Sequence, residues 1–205
     1  MELSNEINEV VKPSVPSISS SAMLVELSIS SWSGRKLDKT ASKEITAQKN
    51  AAVGIANVNK KLLGDCAELD AVLKFAANVR NSHYAMTLPW SDTGLRLLPT
   101  AGFFDYEQHI SGLRNEYYKL VEVFLKAYDW EIIQAQTKLG DMFNRDEYPT
   151  SDSLRAKFRF GVNYIPLADA GDFRLDIANE AQATLTEHYK QYYATCLLYT
   201  SPSPR

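Results

Sequence analysis

The residue types that could carry chemistry in this chain are aromatic and basic, and they recur in three separate segments. These segments read "WSGRK", "VRNSHYAMTLPWSDTGLRLLP" and "LRAKFRF". Aromatic rings stack on exposed bases, and Arg or Lys side chains neutralise phosphates. If the segments converge, they predict a groove that binds single-stranded nucleic acid. The predicted contact residues are Trp32, Arg35, Lys36, Arg80, Trp90, Arg96, Lys157 and Arg159.

The same residues also have a purely structural interpretation. Trp32 and Trp90 would then pin loops to the core, and the arginines would pair with nearby carboxylates. The two interpretations differ in one observable, because a binding groove needs three or more of these cations on one concave face.

Other kinds of site find little support in the sequence. It has no phosphate-binding loop, dinucleotide fingerprint, H-E-x-x-H, C-x-x-C or G-x-S-x-G motif. Asp141, Asp146, Glu147 and Asp152 could bind a hard cation such as Mg²⁺, but turn and helix-end roles fit their spacing better. The three histidines are scattered on predicted helices, where packing is the commoner role. We therefore assign no catalytic, cofactor-binding or metal-ligating residue, and an enzyme is not favoured.

Composition is that of an ordinary globular chain. Of 205 residues, 45% are hydrophobic and 23% are charged, and the net charge of −3 gives no electrostatic reason to expect nucleic acid or an acidic membrane. The charge is uneven, with ten basic against seven acidic residues over 23–100 and ten against fifteen over 101–195. Two cysteines, Cys66 and Cys196, exclude a disulfide framework and favour a reducing compartment. No apolar run could span a bilayer, and we expect no membrane partner.

Hydrophobic periodicity predicts an α+β fold that is predominantly α, with long helical hairpins and a small sheet of two or three short strands. Met23, Val25, Leu27 and Ile29 alternate with polar residues, which predicts a strand over 23–30. "WSGRKLDKTAS" is expected to be a loop. Further strands are predicted over 94–98 and 158–165, and helices over 42–63 with Ser42 as N-cap, 65–86, 105–128, 129–143 and 174–195.

Two of these helices carry clear apolar stripes. In 65–86 the stripe is Leu69, Val72, Ala76, Val79 and His83. In 105–128 the seam steps by three or four residues, which suits an antiparallel hairpin or a coiled-coil-like contact. Its members are Ile110, Leu113, Tyr117, Leu120, Phe124 and Tyr128.

Several motifs of the chain resemble a family of uncharacterised bacteriophage proteins. They are "LSISSWSGRK", "TLPWSDTGLRLLP", "DEYPTSDSLRAKFRF" and "YIPLADAGDFRLDI", and the resemblance covers about residues 23–178. The opening also resembles a domain of unknown function whose genes can lie near those of a MoxR-type AAA+ ATPase and a partner with a von Willebrand A-like domain. The resemblance implies a viral protein of the host cytoplasm, with a virion location as the alternative, and brings no catalytic residue with it.

The last ten residues, "CLLYTSPSPR", have a separate interpretation. All of them match one reading frame of a transposon-end adapter used to prepare DNA sequencing libraries. We therefore expect a metagenomic sequence whose natural part is truncated near Thr195. The predicted organisation is a flexible arm over 1–22, one mostly helical domain over 23–195, incomplete at its C-terminus, and an adapter-derived tail over 196–205.

Three functions remain open at this point. The apolar seams of the predicted helices 105–128 and 174–195 favour, as the leading interpretation, a non-enzymatic helical interaction module that assembles with itself or with a protein partner. The aromatic and basic segments favour a single-stranded nucleic-acid-binding accessory protein of phage replication or recombination. A virion structural role is the third alternative, since it requires no chemical signature in the sequence.

Overall fold

A computed structural model describes residues 21–167 of the chain, together with residues 187, 188 and 191. Residues 1–20 of the predicted arm, most of the predicted helix 174–195 and the predicted adapter-derived tail lie outside this described part. Glu187, His188 and Gln191 are helical. The chain divides into two compact units. Within residues 21–167, the first unit holds residues 21–25, 88–103 and 164–167. The second unit holds Glu26–Thr87 and Phe104–Asn163.

The described residues form an α+β fold that is predominantly α, as predicted. One four-stranded sheet has the order β4-β5-β1-β6, and a two-stranded sheet pairs β2 with β3. No helix among the described residues is long and apolar enough to cross a membrane. The elements are β1 (Ala22–Ser30), β2 (Arg35–Asp38), α1 (Lys39–Gln48), β3 (Val58–Lys61), α2 (Ala67–Met86), β4 (Leu88–Pro89), β5 (Arg96–Pro99), α3 (Phe103–Leu139), α4 (Ser151–Arg155) and β6 (Arg159–Pro166).

The first unit is built on antiparallel strand pairs. The start of β1 pairs with β5, with Ala22 opposite Pro99 and Val25 opposite Arg96, and β4 pairs with the other edge of β5. The predicted strands at 23–30, 94–98 and 158–165 are thus present and belong to one sheet. A small apolar cluster forms the core of this unit, and its buried members are Ala22, Leu24, Trp90, Leu97 and Leu167.

The second unit is organised by two antiparallel helices, α2 and α3. The end of α2 lies near the start of α3, because His83 Nδ1 and the Tyr106 hydroxyl are 2.8 Å apart. The start of α2 lies near the later part of α3, where side chains of Cys66 and Glu131 approach each other. Each residue of the stripe predicted for 65–86 is buried, so the 3.6-residue periodicity located this contact face correctly.

The predicted helices 105–128 and 129–143 are one continuous helix, α3, of 37 residues. No Gly or Pro lies between Tyr128 and Leu139, so nothing in the backbone interrupts the hydrogen-bond ladder there. The helix ends at Gly140, whose φ of +52° suits a left-handed cap. Phe143, predicted to lie inside a helix, therefore follows the end of α3.

The sequence prediction was wrong for residues 35–61, which we call the basic lobe. The expected loop contains the strand β2, and the expected helix 42–63 is only the short α1, a connecting segment and the strand β3. The segment after α1 turns through Asn50 at φ +50° and Gly54 at φ +92°, conformations that a helix cannot contain.

The N-terminus of α1 also differs from its prediction. Asp38, not Ser42, is the N-cap, and its carboxylate accepts hydrogen bonds from the backbone N–H groups of Thr40 and Ala41. Ser42 lies inside the helix, where its hydroxyl donates to the Asp38 carbonyl and accepts from the Val58 N–H. Ser42 therefore fastens β3 to α1 and does not begin the helix.

The short helix α4 also begins before the residues that the sequence indicates as its cap. The sequence suggests Ser151 or Ser153, but the Thr150 hydroxyl accepts from the Ser153 N–H. Cap prediction fails here because several hydroxyl residues stand in a row, and only the backbone angles decide which one flanks the helix.

Candidate nucleic-acid interface

A pocket of about 400 Å³ lies in the second unit, where β1 ends and β6 begins. The two strands are neighbours in the sheet. They run in opposite directions, because Gly161 lies beside the Ser28 carbonyl and the Asn163 amide donates to Glu26. This arrangement brings the turn after β1 and the turn before β6 together. The pocket is lined by Ser30, Ser31, Trp32, Ser33, Ala156, Lys157 and Arg159.

Trp32 forms the aromatic part of the pocket. Its ring stacks on Phe124 at a centroid distance of 6.3 Å and meets the edge of Tyr128 at 5.9 Å. The indole is only half-buried, so part of the ring faces the pocket. Gly34 holds the turn behind it at φ +64°, and a Cβ there would lie 2.8 Å from the Leu69 side chain. The turn that presents Trp32 thus depends on glycine at this position.

Lys157 and Arg159 supply the positive charge of the pocket, and both residues are exposed. Arg159 is held by a hydrogen bond of 3.1 Å from its Nε to the Ala156 carbonyl. Arg80 does not line the pocket, but its guanidinium donates to the Ile29 carbonyl, one residue before Ser30, at 2.9 Å. Two of the predicted cations therefore line the cavity, one fewer than the three that a binding groove was expected to need, and Arg80 is hydrogen-bonded to β1 beside it.

Serine residues complete the pocket wall, and the buried Tyr117 is hydrogen-bonded to two of them. The Tyr117 hydroxyl donates to the Ser30 carbonyl at 2.8 Å, so the Ser31 hydroxyl, 3.0 Å away, donates to Tyr117. Burial raises the pKa of Tyr117, although the Ser31 hydrogen bond and the charge of Arg80 act against that rise. Tyr117 thus remains a neutral phenol that fixes the backbone of the pocket turn.

Arg35 and Lys36 follow the pocket turn but belong to β2 of the basic lobe. Lys36 forms an ion pair of 3.7 Å with Glu147, and the Arg35 N–H donates to the Ser33 hydroxyl at 3.4 Å. The Arg35 side chain is exposed. Of these two predicted contact residues, Arg35 is therefore connected to the pocket through Ser33, whereas Lys36 already forms an ion pair with a carboxylate.

The other two predicted residues, Trp90 and Arg96, lie in the first unit. Trp90 is 6% exposed and is a core residue of that unit's apolar cluster. Arg96 begins β5, opposite Val25 of β1. Neither residue lines the pocket, so Trp90 has the structural role that the sequence offered as its alternative.

Sequence reasoning missed the serines and Tyr117. The signal was present in part, since "SSWS" places three hydroxyls around Trp32. Tyr117 is 86 residues away from Ser31 and appeared only as one member of an apolar stripe. Arg155, in the same segment as Lys157, instead makes a two-pronged ion pair with Glu122 on α3.

The acidic residues considered as a metal site do not gather. Glu147 pairs with Lys60 at 2.8 Å, and Asp141, Asp146 and Asp152 are exposed. A different group does converge: the Cys66 sulfur and carboxylate oxygens of Glu68 and Glu131 lie within 4.8 Å of one another. Burial, together with the charges of the two carboxylates, raises the pKa of the Cys66 thiol to about 11. Cys66 is therefore a buried neutral thiol.

Comparison with known proteins identifies no relative for this chain. No family model matches it, no curated protein matches its sequence, and no solved structure matches its fold. The resemblance to bacteriophage proteins thus stays a prediction, and the pocket geometry is the principal guide to function.

Proposed function

We propose that this protein binds single-stranded nucleic acid through the pocket at Trp32. The proposal rests on one observation: Trp32, Lys157 and Arg159, chosen in the sequence for this chemistry, line a common cavity. Residues 32 and 157 are far apart in the chain, so their convergence is a property of the fold.

The chemistry of the pocket favours one flipped-out base with its phosphate. A cavity of about 400 Å³ has the size of a small-ligand site and is far smaller than a duplex. The free part of the indole offers a stacking surface, and single strands have the unstacked bases that such a surface requires. Lys157 and Arg159 would neutralise the phosphate, and the Ser30 and Ser33 hydroxyls would donate hydrogen bonds to its oxygens.

Binding should be measured by fluorescence anisotropy of a labelled oligothymidylate at low ionic strength. The expected result is micromolar or tighter binding that weakens steeply with salt, because each phosphate contact releases counterions. The variant Lys157→Ala/Arg159→Ala should lower the salt slope by about 0.7 for each lost contact. Both side chains are exposed, so this variant keeps the fold.

Two further variants separate stacking from charge. Trp32→Leu should weaken binding roughly tenfold while the salt slope stays unchanged, since base stacking contributes about 1–3 kcal/mol. Lys74→Ala removes an exposed lysine of α2 outside the pocket and should behave as the wild type. Absence of any anisotropy change at micromolar protein, or equal binding by wild type and the Lys157/Arg159 variant, would refute the proposal.

A helical interaction module is the second candidate, and a different observation favours it. The seam predicted for 105–128 is used inside the chain, because Ile110, Tyr117, Phe124 and Tyr128 are buried. The outer face of α3, however, carries large exposed apolar side chains at Val123, Trp130 and Ile133. Single exposed apolar residues are common, but a group on one helix face is typical of an interaction surface. Sedimentation equilibrium over a range of concentrations tests this function, and a strictly monomeric chain would exclude self-association.

Both candidates are compatible with a bacteriophage protein acting in the cytoplasm of its host, which we retain as the proposed setting. A replication or recombination accessory would use the pocket, and an assembly component would use the helix face. Detection of the protein in purified virions would favour the assembly role over the accessory role.

A further inference from the structure

The connection between α1 and β3 exposes a run of aliphatic residues. Residues 51–56 read "AAVGIA", and Val53 and Ile55 are 84% and 74% exposed. We call these six residues the lobe tip. The backbone is held at its base by a hydrogen bond of 2.9 Å from the Ala51 N–H to the Thr46 carbonyl. The tip is thus a defined protrusion whose side chains contact little of their own chain.

Three lysines lie in the chain segment that leads to the lobe tip. Lys39 and Lys43 lie on α1, and Lys49 lies two residues before the tip. All three are exposed, and none has an ion-pair partner within the described residues. Glu44 is the one acidic residue of α1 and only partly offsets them. An apolar tip with surplus positive charge favours a partner surface that is apolar and acidic.

The outer face of α3 has this complementary chemistry. Val123, Trp130 and Ile133 lie within one helix face, since their spacings of seven and three residues return close to the same side. Trp130 is 61% exposed and Ile133 is 56% exposed. A single large aromatic among aliphatic neighbours is the usual anchor of a protein interface.

Negative charge flanks that face. Asp129 precedes Trp130, and Glu131 follows it and lies close to Glu68. Glu68 and Glu131 have no ion-pair partner among the residues that the structure describes. Glu116 and Glu122 on the same helix are already matched by Lys119 and Arg155. The exposed Lys126 lies four residues before Trp130 and offsets one of the two carboxylates, Asp129 and Glu131, that flank it. The surplus charge of the face is therefore negative next to Trp130.

We infer that the lobe tip of one copy docks on the Trp130 face of a second copy. Val53 and Ile55 would cover Trp130 and Ile133, and the lysines beside the tip would approach Asp129, Glu131 and Glu68. The two surfaces differ, so the contact is head-to-tail and each docked copy leaves one free tip and one free face. Such a contact produces rings or filaments. This inference rests on self-association, the second candidate function, and is independent of nucleic-acid binding.

Complementation between two variants tests the head-to-tail geometry. Ile55→Asp destroys the tip and leaves the face intact, whereas Trp130→Ala destroys the face and leaves the tip intact. Each variant alone should associate roughly thirtyfold more weakly than the wild type. An equimolar mixture should form a dimer of twice the 23.0 kDa chain mass that grows no further, because only one intact contact exists in it.

Sedimentation equilibrium at low ionic strength gives the readout, and circular dichroism confirms that each variant is folded. Phe104→Asp is the matched control, since Phe104 is 81% exposed on α3 but about 39 Å before Trp130 along the helix axis. It should assemble as the wild type does. A wild type that assembles while the mixture stays monomeric would overturn this interface but leave self-association standing. A monomeric wild type would overturn both.

Discussion

The aromatic column of α3 and the basic lobe differ in what holds them together. Tyr106, Tyr117, Phe124 and Tyr128, which we call the aromatic column, have at most 1% of their surface exposed. In the lobe, residues 35–61, only Thr46 and Lys60 are buried, and both are polar. The column is therefore stabilised by removal of apolar surface from water, whereas the lobe depends on hydrogen bonds and ion pairs.

The polar core of the lobe is centred on Lys60. Its ammonium contacts Glu147 at 2.8 Å and Asp38 at 3.3 Å, and it donates to the Met142 carbonyl at 2.7 Å. Burial acts to lower the pKa of Lys60, but the hydrogen bonds with Glu147 and Asp38 outweigh it and raise that pKa. The buried aromatic column supports Trp32 and the pocket through apolar contacts. The lobe, which presents the apolar tip, depends on the polar contacts of Lys60 and is expected to open at a lower free energy than the column.

The largest expected loss of stability comes from truncating a ring of the aromatic column. Phe124→Ala removes a ring that contacts Trp32, Tyr128 and Phe158, and should lower the free energy of unfolding by about 3–5 kcal/mol. Urea denaturation measures this change. Val123→Ala, at the neighbouring exposed position, should change it by less than about 0.5 kcal/mol. Equal losses in the two variants would remove the distinction between column and surface.

The next effect concerns the lobe alone. Lys60→Met keeps the volume of the side chain but leaves the carboxylates of Asp38 and Glu147 without their cation. We expect the free energy of local opening to fall by about 2 kcal/mol, measured by hydrogen exchange of the β2 and β3 amides.

Lys61→Met is the matched control for that experiment. Its side chain is 56% exposed and pairs with an exposed Asp65, so amide exchange in the lobe should stay close to that of the wild type. If Lys60→Met instead lowers the protection of α2 and α3 as much as that of the lobe, the two regions unfold as one unit.

A smaller effect should follow from the titration of Cys66. Burial raises its pKa from 9.0 to about 11, so the folded state prefers the neutral thiol. The corresponding stabilisation is complete below pH 9 and is lost as the pH rises through 11. At pH 8, alkylation of the native thiol by iodoacetamide should be at least about tenfold slower than in urea. Equal rates would mean that the start of α2 opens readily.

The smallest effect is expected at the lobe tip. Val53→Asp and Ile55→Asp alter side chains that contact little of their own chain. The free energy of unfolding, measured by urea denaturation, should therefore change by less than about 0.5 kcal/mol. A larger loss of stability would show that the tip packs on the lobe, and that apolar contacts stabilise the lobe as they do the aromatic column.

The regions also differ in how far the sequence predicted them. The stripe of α2 and the strands β1, β5 and β6 were located correctly, because burial on one side leaves a period that short stretches of sequence reveal. The lobe was mistaken for a helix. β2 and β3 are too short to show a period, and they pair across 19 intervening residues with a buried lysine in place of an apolar one.

The candidate site divides in the same way. Residue type and clustering in the sequence identified Trp32, Lys157 and Arg159, because stacking and phosphate neutralisation require these side chains. Trp90 has the same residue type but is buried in the first unit, so type alone could not separate it from Trp32. The distinction depends on which side of each ring the rest of the chain covers.

What the sequence determined by itself is the local part of this protein: the helical class, the apolar faces of its long helices and the chemical types available for binding. Only the tertiary structure decided that β1 and β6 bring Trp32 beside Lys157 and Arg159, and that α3 buries its column but exposes Trp130. The physical reason is that periodicity and residue type are local properties, whereas convergence and exposure depend on non-local packing.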